Sequence, residues 1–468
     1  MRKRFSLLVL VLVMAMVAAS CGGGSEETTT TAGSGGGEET TTTAGGGGGE
    51  ETTTTAASGG EVATDIGVDA ENKVIKLGLL ADLTGLFAAL VTDITDAQQV
   101  YWDNVNAAGG IDGWTVELVV EDTNYNVEQH MEKYAKLREE VVAISQSTGS
   151  PTSVTMLPEA IEDDLLFIPL SWYSGWGIPE FDQGVALEQN TNYCIEAMNL
   201  MHFIQENGGQ TVALATFPGD YGQDAAAGVK LAADFYGMTI AYDGEGAVIP
   251  GQDQTPVIQG IVDSGADWTF LTTNPSIGAE ILGGAVQAGY GGMFTGSVPT
   301  YDFRLLDSAA APLYDAVFYQ SAYNVGWGVS TPGNDEMMAA MREAFPDRRP
   351  SDSFISGWNE SVTMHRVLET AIANGDLTRA GVVAAANSLE TVDFGGSAPN
   401  QSYAGAPNDY VVREIAVFDP DLATYTAAGG AEQTLSQEDA TTGSLLKKDF
   451  FVGDAAAAFE FTSPCFEL

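Results

Sequence analysis

A serine followed directly by a proline, Ser150-Pro151, is the residue pair best suited to ligand chemistry in this sequence of 468 residues. Serine is a favoured helix N-cap and proline is favoured at the first helical position, so the pair predicts a helix start. The free N–H groups and the positive dipole end of such a helix attract a carboxylate. On these residues alone, the pair either binds an anionic group or only begins a helix.

Motifs that would indicate catalysis or metal binding are missing from the sequence. The three histidines, His130, His202 and His365, lack the spacing of metal ligands. The sequence also has no P-loop, nucleophile elbow or HExxH motif. We therefore expect a binding protein rather than an enzyme, with neither a metal nor a cofactor.

The amino-terminal segment has the features of an export signal. A basic start precedes the uncharged residues Leu7 to Ala19, which are too few for a membrane-spanning helix of roughly 20 residues. Small residues before Cys21 resemble the bacterial lipobox, where the leader is cut and the cysteine is lipidated. We expect a signal peptide over residues 1–20 and anchoring of Cys21 at the outer face of the bacterial cell membrane. The alternative is an ordinary secretory cleavage site.

Residues 21–72 are predicted to be the lipidated cysteine and a disordered tether. The heptad Glu-Glu-Thr-Thr-Thr-Thr-Ala begins at Glu26, Glu38 and Glu50, and the segment around these repeats is rich in glycine and threonine. Such a segment has no apolar surface to offset the entropy lost on ordering. The tether therefore acts as a spacer for a remainder long enough for two domains.

The net charge restricts the possible partners of the protein, and the cysteines allow a disulfide. The formal net charge is −46, which excludes nucleic acid because its binding needs clustered lysine and arginine. Cys194 and Cys465 are the cysteines that follow Cys21. In an exported protein two such cysteines either pair or remain separate buried thiols.

Strands alternate with helices after the tether, which indicates parallel sheets covered by helices on both faces. The first series of strands lies within residues 74–170, and the pattern restarts with a strand at 211–215. This second series is expected to end with a strand at 316–319, and the short stretch 410–412 is also strand-like. The sequence thus predicts an α/β protein with two doubly wound lobes. Ligands of such sheets bind in the crevice at the carboxyl ends of the strands. Later helices, at about 335–345, 351–374 and 376–388, are expected to complete these lobes.

Several short motifs occur in the order that one protein family shows. They are Leu83-Thr84-Gly85, Asn106-Ala107-Ala108-Gly109-Gly110-Ile111-Asp112-Gly113, Asp122, Ser150-Pro151-Thr152-Ser153, Ile168-Pro169-Leu170-Ser171 and Asp220-Tyr221-Gly222. Over residues 73–425 the chain resembles type I periplasmic binding proteins, and most closely the branch that binds leucine, isoleucine and valine for ABC importers. The resemblance implies two lobes joined by a multi-strand hinge. Their expected extents are 73–190 plus 326–392 and 191–325 plus 393–468.

The resemblance also implies a ligand site between the lobes. A family serine at the place of Ser150 grips the carboxylate of an amino acid, and a tyrosine at the place of Tyr221 covers the ligand. Two positions depart from the family pattern, since Tyr173 replaces a threonine and Asn274 replaces a tyrosine. The implied ligand-binding residues are Ser150, Thr152, Ser171, Trp172, Tyr173, Tyr221, Asn274 and Phe87.

One acidic residue of the amino-acid binders has no counterpart here. The family pairs the ammonium of the ligand with a carboxylate in the stretch that follows Gly296, which here reads Ser297-Val298-Pro299-Thr300-Tyr301. A buried ammonium without a partner is strongly unfavourable. Either Asp302 or Asp220 substitutes, or the ligand is an amide, a urea-like compound or a small carboxylate.

The expected function is that of a solute-binding lipoprotein of an ABC importer. It would capture a branched-chain amino acid or a related small polar solute between its lobes and deliver it to a membrane permease. The alternative is a ligand-sensing module that passes its signal to a separate membrane receptor.

Overall fold

The computed structural model of the protein describes residues 62–467; the predicted signal peptide, Cys21 and the tether up to residue 61 lie outside the described residues. None of the helices between residues 62 and 467 is long and apolar enough to cross a membrane. The strands are β1 (Ala63–Thr64), β2 (Val68–Asp69), β3 (Val74–Ala81), β4 (Thr115–Asp122), β5 (Ala143–Thr148), β6 (Phe167–Leu170), β7 (Thr211–Thr216), β8 (Thr239–Gly244), β9 (Trp268–Thr272), β10 (Met293–Gly296), β11 (Phe318–Ala322), β12 (Asp376–Leu377), β13 (Thr391–Val392), β14 (Gln401–Ser402), β15 (Ile415–Pro420) and β16 (Ser444–Phe451).

Helices connect most of these strands and cover both sheets. Short 3₁₀ turns lie between some of the longer helices. The α-helices are α1 (Ala88–Ala107), α2 (Val127–Leu137), α3 (Ser150–Glu162), α4 (Pro179–Asp182), α5 (Tyr193–Glu206), α6 (Asp220–Tyr236), α7 (Thr255–Ser264), α8 (Pro275–Gln287), α9 (Ala311–Val317), α10 (Pro332–Ala344), α11 (Ser353–Asn374), α12 (Arg379–Ala386), α13 (Pro407–Tyr410), α14 (Leu422–Ala427) and α15 (Asp454–Ala458).

The first lobe is built on a sheet in which β3 lies between β4 and β5, with β6 outside β5 and all four strands parallel. Alternate side chains of a strand point to opposite faces. Ile75 and Leu77 pack in one core with Trp102 of α1 and Trp358 of α11. Leu80, on the other face, packs in a second core with residues of α2 and α3. The sheet is therefore doubly wound, as the alternation of strands and helices predicts.

The second lobe is built on a sheet of order β8-β7-β9-β10-β11, all parallel, with β15 and β16 added antiparallel to β11. The buried residues of these strands pack in one large cluster with α5 and α6. In the first lobe β3 lies between the next two strands, β4 and β5, and in the second lobe β7 lies between β8 and β9. A crevice at the carboxyl ends of the strands forms where the strand order reverses in this way.

The chain passes between the two sheets three times. It leaves the first sheet after β6, returns after β11 to form α10, α11 and α12, and rejoins the second sheet at β15. Buried residues of these three helices, such as Met337, Val367 and Val382, pack in the same core as Ile75 of β3. The three crossings form a multi-strand connection between the lobes. The lobe extents expected from the resemblance stay a prediction.

Several elements differ from the expectations drawn from the sequence. Residues 62–72, assigned to the tether, include β1, which pairs with β12, and β2, which pairs with the start of β3. Ala316 and Val317, expected in a strand, end α9, and β11 begins at Phe318. The stretch at Tyr410–Val412, expected to be strand-like, ends α13 and forms a single bridge from Val412 to Thr191. Alternation of apolar residues over so few positions suits a helix end as well as a strand.

A disulfide joins Cys194, at the start of α5, to Cys465 near the carboxyl terminus. Cys465 also donates its backbone N–H to the hydroxyl of Ser174 at 2.8 Å. The next residue accepts a hydrogen bond at its carbonyl from the hydroxyl of Tyr173, at 2.7 Å. The carboxyl-terminal segment is thus tied covalently to α5 and by hydrogen bonds to the loop after β6.

Alkylation of the unreduced, unfolded protein should modify neither Cys194 nor Cys465, and prior reduction should expose both. The measurement is peptide mass spectrometry. A Cys465→Ser variant should be less stable by about 2–4 kcal/mol, because the cross-link restricts the unfolded chain. Substitution of the exposed neighbour Ser463 by alanine is the control. Two thiols alkylated without reduction would contradict the bridge.

Candidate functional site

The loops that follow the strand ends of both sheets meet at one cavity. The loops after β3 and β6 bring Phe87 and Trp172 to it, and the start of α3 brings Ser150. From the second lobe, α6 brings Tyr221 and the turn after β10 brings Val298. The cavity therefore lies in the crevice that the strand order predicts.

The cavity, which we call the cleft cavity, has a volume of about 70 Å³. Since one water needs roughly 10–15 Å³ of such space, it has room for a small organic molecule in place of several waters. No side chain of its wall carries a formal charge at neutral pH. The wall consists of Phe87, Leu90, Val91, Ile94, Tyr125, Thr148, Gly149, Ser150, Leu170, Trp172, Tyr193, Tyr221, Val298, Pro299, Ser353 and Ser356.

The polar end of the cleft cavity is the amino terminus of α3. Gly149, rather than Ser150, is its N-cap, with a φ of 99° that favours glycine. A Cβ at Gly149 would lie 2.5 Å from the ring of Tyr125. Ser150 is the first helical residue, and the backbone N–H groups of Ser150 and Thr152 have no backbone acceptor within residues 62–467. These groups and the helix dipole favour an anionic or hydrogen-bond-accepting ligand group.

A chain of hydrogen bonds orients the hydroxyl of Ser150. Trp176 donates its indole N–H to the hydroxyl of Ser171 at 3.1 Å, and the hydroxyls of Ser171 and Ser150 are 2.6 Å apart. An indole N–H can only donate, so Ser171 accepts from Trp176 and is free to donate to Ser150. When Ser171 donates in this way, the proton of Ser150 is available to the cavity. Ser171 and Trp176 therefore position the ligand-facing serine from outside the wall.

Aromatic rings form most of the wall around Ser150. Tyr193 lies between Trp172 and Tyr221, with ring centroids 5.9 and 4.7 Å away. Phe87 packs edge-on against Tyr125 at 4.9 Å. The hydroxyl of Tyr221 donates to the carbonyl of Thr273 at 2.9 Å, so Tyr221 covers the cavity with its ring. Such walls suit an apolar ligand portion.

Four residues proposed from the sequence thus meet at the cavity: Phe87, Ser150, Trp172 and Tyr221. Thr152 and Tyr173 lie outside its wall. The hydroxyl of Thr152 donates to the carbonyl of Gly149 at 2.8 Å, within its own helix start. Tyr173 packs against Trp176 and Phe181 in the core of the first lobe. Both side chains therefore stabilise the structure behind the site, because other groups already occupy their polar atoms.

Asn274 also lies outside the wall, where it caps a helix and joins the lobes. Its side-chain oxygen accepts from the N–H of Ile277 at the start of α8. Its amide nitrogen donates to the carbonyl of Leu86, in the first lobe, at 3.0 Å. The residue thus forms a hydrogen bond between the two lobes.

Neither of the two candidate ammonium partners faces the cleft cavity. Asp302 is buried and pairs with Arg304 at 3.0 Å, and burial raises the pKa of Asp302 to about 6 despite that pair. Asp220 is buried at the start of α6, where desolvation raises the pKa of its carboxyl to about 7. The structure therefore gives the cavity no carboxylate that could pair with an ammonium group.

A cluster of ion pairs beside the cavity joins the two lobes. Asp93 of α1, 1% exposed, accepts from Arg304 of the second lobe at 2.7 Å and also from Arg348, which follows α10. Arg304 further donates to the carbonyl of Ala89 at 3.1 Å. Two arginines thus compensate a carboxylate that the contact between the lobes buries.

Several wall residues were not predicted from the sequence. Tyr125 comes after the Asp122 motif, and Tyr193 begins α5. Leu90 and Ile94 lie one turn apart on α1, and Ser353 begins α11. The i, i+4 spacing of Leu90 and Ile94 predicts one helix face. It does not predict whether that face covers a core or a ligand.

Most of the chain matches a known protein family. Residues 74–419 match the family described as Periplasmic binding protein. The chain belongs to the periplasmic binding protein family. This is a family of solute-binding proteins rather than enzymes, whose ABC-transporter members bind small molecules outside the cytoplasm and deliver them to permeases. The fold class and the family resemblance predicted from the sequence are confirmed.

Several solved structures are similar to this protein over most of their own length. A fatty acid ABC transporter substrate-binding protein from Thermomonospora curvata is 25% identical with a TM-score of 0.74, covering 86% of this chain and 97% of its own. A branched chain amino acid ABC transporter from Thermus thermophilus with bound valine is 15% identical with a TM-score of 0.67, covering 82% and 98%. The binding protein LivJ from Streptococcus pneumoniae, in complex with isoleucine, is 15% identical with a TM-score of 0.65, covering 81% and 100%. No curated protein matches the sequence.

A buried carboxyl supports the cavity wall from behind. Glu196 of α5 is fully buried and accepts the backbone N–H of Val298, a wall residue, at 2.9 Å. Burial raises the pKa of Glu196 from 4.5 to about 7. The folded protein therefore holds this proton more tightly than the unfolded chain does. Its contribution to stability is present below pH 4.5 and is lost as the pH rises to about 7.

A Glu196→Gln variant should have a flatter dependence of stability on pH than the wild type. Glutamine keeps the acceptor for Val298 and mimics the protonated acid, so the variant should match the wild type at pH 5 and be more stable at pH 8. The measurement is the melting temperature over this range. Glu438→Gln, at an exposed position, should leave the slope unchanged. Parallel curves for wild type and Glu196→Gln would refute the assignment.

Proposed function

We propose that this protein captures a small monocarboxylate with an apolar chain outside the cytoplasm and delivers it to the permease of an ABC importer. The observation that carries the proposal is a cleft cavity with a helix amino terminus at one end and no charged side chain in its wall. A carboxylate suits the free N–H groups and the hydroxyl of Ser150. The chain of such a ligand suits the aromatic and aliphatic wall.

An α-amino acid fits this cavity less well. Its ammonium group would be buried against apolar and aromatic side chains without a carboxylate partner, since Asp302 is paired with Arg304 and Asp220 does not face the cavity. Burial of an unpaired charge is strongly unfavourable. A monocarboxylate has no such group, and the similar protein from Thermomonospora curvata is described as a fatty acid binder.

The amino-terminal sequence supports attachment to the membrane through a lipid on Cys21. The uncharged leader, the small residues before Cys21 and the glycine- and threonine-rich segment after it are those of an exported, tethered protein. A tether would keep the binding protein close to its permease while the lobes rotate, open and dock.

Short and medium-chain alkanoates should raise the melting temperature of the purified protein, and leucine, isoleucine and valine should not at equal concentration. A ligand at 100 times its Kd stabilises the folded state by about 2.7 kcal/mol. The measurements are thermal-shift screening followed by isothermal titration calorimetry. Stabilisation by the amino acids but by none of the alkanoates would sink the proposal.

The variant Ser150→Ala should bind the best alkanoate about 10- to 100-fold more weakly, since it removes a hydrogen bond to a charged group. Thr155→Ala, on the exposed side of α3, is the matched control and should bind as the wild type does. Equal affinity of the Ser150 variant and the wild type would remove this serine from the site.

A Cys21→Ser variant should appear in the soluble fraction, whereas the wild type should stay with the membrane and carry a lipid on its mature amino terminus. Cell fractionation and mass spectrometry of that terminus measure both outcomes. Wild-type protein with an unmodified terminus would contradict the lipid anchor.

A further inference from the structure

A second cavity adjoins the cleft cavity and differs from it in chemistry. It measures about 60 Å³, and both cavities share the side chains of Leu90, Val298, Ser353 and Ser356. We call it the polar chamber, because its wall includes Gln320, Asn324, Ser351, Asp302, Asp352 and Tyr301. The two cavities are therefore neighbours, and a ligand chain directed from Ser150 past Leu90 and Val298 would extend towards this chamber.

Polar groups in the chamber wall lack partners within the protein. Gln320 is 8% exposed, and its side-chain oxygen lies 3.3 Å from the hydroxyl of Ser444, which donates its proton to Asp352 at 2.8 Å instead. Its amide nitrogen has no hydrogen-bond partner in the described part of the chain. The buried hydroxyl of Tyr301 is likewise without a partner between residues 62 and 467. A buried polar group left unpaired costs about 1–3 kcal/mol, and the hydroxyl of Tyr301 carries this cost. The amide of Gln320 is available to bind a group in the chamber.

The charges around the chamber restrict what that partner can be. Asp302 is already paired with Arg304 at 3.0 Å. Asp352 already accepts from the hydroxyls of Thr442 and Ser444, at 3.1 and 2.8 Å, and from the backbone N–H of Trp327. An anionic group at the far end of the ligand would be repelled by the carboxylates of Asp302 and Asp352. A cationic group would gain little from them, because both carboxylates already have partners within the protein. An uncharged hydrogen-bonding group suits the amide of Gln320 and the hydroxyl of Tyr301.

We infer that the ligand carries such an uncharged polar group at the far end of its apolar chain. An ω-hydroxy acid has this chemistry: its carboxylate lies at α3, its methylene chain crosses the cleft cavity, and its hydroxyl replaces water in the polar chamber. This inference rests on the proposed function, which supplies the carboxylate end. Gln320 is then the residue that distinguishes the hydroxylated acid from its parent.

The test compares alkanoates of four to ten carbons with the ω-hydroxy acid and the dicarboxylate of each length, by calorimetry on the mature protein. For at least one length the ω-hydroxy acid should bind at least tenfold more tightly than the parent acid, and the dicarboxylate should bind no more tightly than the parent. Parent acids that bind more tightly than their ω-hydroxy forms at every length would overturn the inference. Absence of binding by every acid would instead overturn the proposed function.

A Gln320→Met variant should reduce the affinity ratio of ω-hydroxy to parent acid towards one, because methionine fills the same space without an amide. The same substitution at the exposed Gln252 is the control and should keep the wild-type ratio. A wild-type ratio in the Gln320 variant would remove Gln320 as the residue that recognises the distal group. The comparison of ligands on the wild type does not depend on whether the variant folds.

Discussion

The hydrogen-bond chain from Trp176 through Ser171 to Ser150 is the interaction on which the ligand site depends. It joins the loop after β6 to the first turn of α3, which follows the neighbouring strand β5. The two strand ends thus fix the position of the Ser150 hydroxyl together. Because the indole can only donate, the hydroxyl of Ser171 accepts from it and can in turn donate to Ser150. The positive φ of Gly149 turns the chain so that Ser150 begins the helix at the cavity wall. The helix dipole and the hydroxyl are thus placed at the same end of the cavity.

Buried carboxyls and ion pairs surround this neutral site. The chain is strongly acidic, and several of its carboxyls are buried, where desolvation raises the pKa of Asp182, Glu196, Asp220 and Asp224 to about 7. Beside the cavity, by contrast, two arginines, Arg304 and Arg348, compensate the buried Asp93. Charged side chains are therefore used to close the lobes around a cavity whose own wall is neutral. Since an ion pair between the lobes forms only when they meet, it favours the closed arrangement without selecting the ligand.

Much of the fold could be predicted from local sequence patterns. The strand at Val74–Ala81 and the helix that begins at Ser150 follow from a buried apolar run and from a serine–proline pair. Predictions were poorer where a short segment had no strong pattern. The segment at 410–412 was expected in a strand, and the short strands β1 and β2 were assigned to the tether. Their state depends on the neighbours they meet, such as β3 for Val68 and Asp69.

The sequence by itself determined the family, the α/β class, the order of the strand ends and the helix start at Ser150–Pro151. These features depend on residues close together in the chain, whose periodicity and backbone preferences are local. Only the tertiary structure decided which side chains form the wall. Tyr193 and Ser353 reach the cavity from helices that other parts of the fold position, and Asp302 is directed to Arg304 instead. A side chain takes the partner that packing places within a few ångströms, and that partner is seldom near in sequence.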